Sequence, residues 1–134
     1  MRFRHHSNPD DKARNDQYWF NNPPSSIDYE AFGRLRELLA WVDEFTRLCG
    51  EGEIVVTSFF RTEDRSSYHS ICQAADIRSK DKSVQWWDAM SQLSKAVRVS
   101  SPDLQIFMHP ELKGKDQEHI HVAIKNGALD NVSP

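Results

Sequence analysis

Between Ser26 and Cys49 the apolar residues Ile27, Phe32, Leu35, Leu38, Leu39, Val42, Phe45 and Leu48 recur at steps of three and four, the period of a helix with one buried face. Ser26 or Asp28 suits its N-cap, and Gly50 is placed to end it in a left-handed turn. The stretch 53–60 is rich in β-branched and aromatic residues and reads as a strand. Residues 73–77 alternate as a second short strand, and 104–108 and 118–124 read as a third and a fourth. A second amphipathic helix is expected over 81–99, with Asp81 or Ser83 as cap and Val84, Trp87, Met90, Leu93 or Ser94, and Val97 at helical steps. Trp86 and Trp87 cannot both face inward.

These elements predict an α+β domain: a small, mainly antiparallel sheet with two helices packed on one side. Residues 1–26 form an N-terminal arm, polar and broken by prolines, that pins itself to the domain through Tyr18-Trp19-Phe20. Residues 27–125 form the domain proper, and 126–134 a tail. His5 and His6 read as terminal residues with no fixed geometry, and the 109–117 loop as a polar connection.

With 134 residues the chain suffices for one modest core. Its mean hydropathy of -0.70 is polar, but four Trp, three Tyr and seven Phe supply the anchors of a folded domain. The net charge of -3, with basic and acidic residues interspersed, argues against nucleic acid as the partner. No apolar run has the length of a membrane span, and the first residues lack an apolar signal core, so synthesis in the cytoplasm without a signal peptide and no membrane insertion are expected. Cys49 and Cys72 form no CxxC pair, and reduced thiols are the default.

The chemistry gathers in two stretches. Ser67-Tyr68-His69-Ser70-Ile71-Cys72-Gln73-Ala74-Ala75-Asp76 places a histidine and an aspartate with six residues between them, and Glu118-His119-Ile120-His121 adds histidines on a late apolar strand. Two imidazole nitrogens and one carboxylate oxygen are the ligand set of a zinc site whose fourth position stays open. Each residue alone has a plainer role: a core histidine, a turn aspartate, an arginine paired at a strand end. Their combination favours the metal.

The order and spacing resemble the zinc D-alanyl-D-alanine peptidase family, which shares its fold with the zinc-binding signalling domain of hedgehog. Its pattern runs Ser-Gly-Tyr-Arg-Ser/Thr, then Ser-x-His-x-x-Gly-x-Ala-x-Asp, then Glu or Asp-x-x-His; here these fall on Ser58-Phe59-Phe60-Arg61-Thr62, on 67–76 and on 118–121. The resemblance implies His69, Asp76 and His121 as zinc ligands, Glu118 as the base that activates water, Arg61 as stabiliser of the developing oxyanion, and Ser67 as a contact for a substrate carboxylate. His119 shares a strand face with His121 and is either a proton donor beside the metal or the third ligand itself. On a regular strand residues 118 and 121 would face opposite ways, so Glu118 is expected to come from a loop or bulge at Asp116-Gln117. Cys72 and Phe59 stand where the family has glycine. Cys72 therefore implies a strained or altered turn, or a fourth ligand that would close the site.

The implied activity is hydrolysis of a peptide bond in bacterial peptidoglycan by a monomer acting at the cell wall. The single-domain build resembles phage endolysins, L-alanyl-D-glutamate endopeptidases released through a holin's pore. The alternative is a zinc-stabilised binding or structural module without catalysis.

Overall fold

The computed structural model describes residues 1–4, 15–61, 66–109, 114–115 and 118–129. His5 and His6, most of the loop after Arg61, residues 110–113, Asp116-Gln117 and the end of the tail lie outside the described residues.

The architecture is α+β, with a five-stranded mixed sheet and three helices. In chain order the elements are β1 (Arg2–Phe3), α1 (Asp16–Asn21), α2 (Tyr29–Leu48), β2 (Val55–Ser58), β3 (Ala74–Arg78), α3 (Val84–Ser100), β4 (Leu104–Met108) and β5 (His119–Ile124). The sheet order is β1-β2-β3-β5-β4; β1 runs parallel to β2 and every other pair is antiparallel.

Strand alternation divides the sheet chemically. Val56, Ala75, Ile77, Ile106, Ile120, Val122 and Ile124 point to one face and join the core with Leu35, Leu39 and Val42 of α2 and Met90, Leu93 and Val97 of α3. Asp76, Arg78, His119, His121 and Phe107 point to the other face. The helices thus cover the apolar side and leave the polar side for chemistry.

Asp28 caps α2, its side chain accepting from the N–H groups of Glu30 and Ala31. Gly50 takes φ +76° just past the helix end, the left-handed conformation expected there. Phe45 and Leu48, counted into the apolar stripe by spacing, are exposed. Thr46 is buried instead, four residues after Val42, because its hydroxyl accepts the Trp86 indole N–H at 2.9 Å. The same bond sets the phase of α3, which Ser83 caps: Trp86, Met90, Leu93 and Val97 face inward, Val84 is exposed and Trp87 only flanks the core. A tryptophan is buried where its N–H finds an acceptor.

Residues near the N-terminus contribute to the sheet and core. Arg2 and Arg4 donate backbone N–H groups to Ile54 and Val56, extending the sheet by β1. Phe20 of α1 packs its ring 5.2 Å from Phe3 and from Phe59 and 5.5 Å from Phe32. Trp19 packs on Phe60 at 5.1 Å.

One ion pair ties α2 to the turn before β4. Arg34 donates to both Asp103 oxygens at 2.5 and 2.6 Å, and the Ser101 hydroxyl donates to the same carboxylate. The Arg34 hydrogen bond and then that of Ser101 hold the Asp103 carboxyl well below the usual range. A depressed folded value means that the pair stabilises the fold above the unfolded pKa of about 4 and that the contribution is lost as pH falls through the folded value. Arg34→Ala is therefore expected to cost about 1 kcal/mol in urea unfolding at pH 7, a partly exposed bidentate pair being worth no more. The cost should shrink as pH drops below about 4; an equal cost at pH 7 and pH 2 would contradict it.

Candidate metal centre

Ser67 opens the first half of the centre. Its side chain accepts from the His69 N–H at 3.2 Å and caps the short 3₁₀ turn Tyr68–Ile71. Cys72 ends that turn at φ 59°, ψ 36°, and its left-handed conformation brings the Gln73 N–H back to the Tyr68 carbonyl at 3.0 Å. The chain then enters β3, with His69 behind it and Asp76 on the strand. This is the conformation for which the pattern has glycine. Cys72 itself is buried in the core, and burial pushes its thiol up to about 12. It is a protonated packing residue, outside the ligand group.

The second half comes from β5. Asp76 and His121 are direct partners in the β3–β5 register, and the His121 Nδ1 lies 2.9 Å from Asp76 Oδ1. His69 Nε2 is 3.4 Å from the same oxygen. One ligand atom from each of His69, Asp76 and His121 falls within 4.8 Å of the others.

The donors suit a divalent cation. His69 Nδ1 lies 2.7 Å from the Phe59 carbonyl, to which it donates, so Nε2 is the nitrogen turned to Asp76 and the one whose lone pair a metal would take in place of a proton. Asp76 turns Oδ2 to Arg61 Nη2 at 2.6 Å, leaving Oδ1 for the histidines. Arg61 is held in turn by the Ser58 hydroxyl, which accepts from Nε at 2.7 Å. Burial pushes the Asp76 carboxyl up, but the hydrogen bonds of His121 and His69 and the charges of His69 and His119 outweigh it and hold the group well below the usual carboxylate range. An ionised carboxylate and two imidazoles in a site of this depth match the nitrogen and oxygen donors of zinc and related metals.

The remaining sequence candidates surround this group. His119 lies on the same face as His121, with Nε2 3.8 Å from Asp76 Oδ1 and its ring 4.7 Å from that of His109. His121 is the histidine of β5 in the three-residue group; His119 stands beside it. Glu118 precedes β5, as alternation requires of a residue serving the same face as His121. Its carboxylate is buried and accepts from the Gly114 N–H at 2.9 Å, and it lies outside the ligand group.

Two supporting features escaped the sequence. The Phe59 carbonyl that orients His69 is backbone and carries no side-chain signal. Ser58 was legible only as part of a motif, not as the brace for Arg61. Comparisons with protein-family models, with curated proteins and with solved structures give no match.

Proposed function

We propose that the chain is a zinc-dependent peptidase of the hedgehog/D-alanyl-D-alanine peptidase type of fold, which hydrolyses a peptide bond in the stem peptides of bacterial peptidoglycan as an endopeptidase or DD-carboxypeptidase. The observation that carries this reading is the convergence of His69, Asp76 and His121 on the sheet face that α2 and α3 leave uncovered. Zinc bound there supplies a Lewis acid and lowers the pKa of water to about 7.

The chain's own groups do the rest. His69 and His121 bring nitrogens and Asp76 an oxygen, each positioned by a neighbour: Phe59, the β3–β5 pairing, and Arg61. Glu118 accepts the Gly114 N–H at Oε2, and its other oxygen takes the proton of the attacking water and returns it to the leaving amine. His119 offers a hydrogen bond on the substrate side. Arg61 has no hydrogen bond from Nη1 among the described residues, which leaves that nitrogen for the carbonyl oxygen as it becomes negative. Ser67 caps its turn and adds a hydroxyl for a substrate carboxylate.

A second reading, a zinc-stabilised module without catalysis, is favoured by one observation: the Glu118 carboxylate is engaged by Gly114 rather than standing among the ligand atoms. Purified peptidoglycan incubated with the protein, with and without a chelator, separates the two. Release of stem-peptide fragments that the chelator abolishes is the expected outcome. Zinc binding without release would favour the module, and release indifferent to chelator would remove the metal from the chemistry.

A further inference from the structure

The sheet face opposite α2 and α3 holds a second feature beside the metal centre, reached along β3. A pocket of about 260 Å³ is bounded by Arg2, Phe3, Arg4, Val55, Thr57 and Arg78. Its walls follow from the register: Arg2 pairs with Val55 across β1 and β2, and Arg78 lies two residues beyond Asp76 on β3, so both arginines project to the face that carries the metal group. Among the described residues neither Arg4 nor Arg78 gives its guanidinium to a carboxylate or a hydrogen bond, and Arg2 acts on Glu53 only through space. Three cations thus surround one small concavity in a chain whose net charge is -3.

Resting on the peptidase reading, we propose that this pocket is a substrate subsite for a carboxylate, so that the peptide cleaved carries an acidic group a short distance from the scissile bond. Strands lie about 4.8 Å apart and residues advance about 3.3 Å along them, which puts the pocket about 7–10 Å from Asp76, the span of two to three extended residues. Arg78 anchors the carboxylate, because it shares β3 with a ligand and its backbone is held by pairing with His119 of β5. Arg4 and Arg2 close on it from the edge strand. A guanidinium fork suits a carboxylate, to which it can donate two parallel bonds.

The probes are a stem peptide with a free glutamate side carboxylate and a free C-terminus, and its counterparts with one or the other carboxylate converted to the carboxamide. Binding is measured by calorimetry in the Glu118→Gln background, which removes turnover, and hydrolysis in the native chain in parallel. Amidation at one of the two positions is expected to weaken binding about tenfold, the scale of one charge-assisted contact, and so to identify which carboxylate the pocket takes. Arg78→Gln should abolish that difference, Arg4→Gln should reduce it, and Arg36→Gln on α2 should leave it intact. Equal binding of all three peptides, or a preference that survives Arg78→Gln, would overturn the subsite. Absence of hydrolysis with an Arg78-dependent preference would instead sink the peptidase reading and leave the subsite standing.

Discussion

Glu118→Gln is expected to lower peptidoglycan hydrolysis by about a thousandfold while leaving zinc content and thermal unfolding unchanged, since a positioned general base contributes roughly 10²–10⁴. Glutamine keeps the shape of the side chain, and its amide oxygen still accepts the Gly114 N–H that the carboxylate accepts at 2.9 Å. What it loses is the capacity to take a proton. The substitution therefore separates the residue's structural role from its chemical one, which alanine would not do at a buried position. Unchanged hydrolysis would remove Glu118 from catalysis and direct attention to His119, the other proton carrier beside the group.

His69→Ala carries the largest expected effect on the fold. The side chain is 2% exposed and its Nδ1 bonds the Phe59 carbonyl, so truncation opens a cavity and orphans a buried acceptor. About 3 kcal/mol of stability should be lost even in chelator, where no metal contributes. Added zinc should raise the native protein's stability by binding the folded state and should add nothing to the variant. His121→Ala should likewise release the metal, whereas His119→Ala should retain it. A reversed result for the two histidines would make His119 the third ligand, and retention of metal by His69→Ala would take that residue out of the site.

The two long helices and the four longer strands were legible because each depends on a local period: 3.6 in α2 and α3, two in the strands. Helix phase was less so. Trp86 and Trp87 are equivalent to a periodicity argument, and Thr46, forty residues away, decides between them by accepting one indole N–H. β1 was illegible for the same reason, a two-residue strand that exists only through its pairing with β2.

At the site, the ligand residues were readable because histidine and aspartate carry their chemistry in the side chain. The gap between His69 and Asp76 is explained by the turn that Ser67 caps and Cys72 ends. The left-handed Cys72 was signalled by the glycine at the corresponding place in the pattern that this stretch resembles. The grip of Arg61 on Asp76 had no signal because it is a tertiary contact, and that of Gly114 on Glu118, though only four residues apart, had none because its donor is a backbone N–H. The pocket of Arg2, Arg4 and Arg78 joins residues more than seventy positions apart; only the two-residue step from Asp76 to Arg78 marked one of its walls as facing the metal group.

The metal centre itself is most directly tested by elemental analysis of untagged protein, native and Asp76→Ala, after dialysis against zinc and then against metal-free buffer. One equivalent of zinc per native chain, and none in the variant, is the expected result. No metal in the native protein, or one equivalent in both, would show that His69, Asp76 and His121 do not form the site.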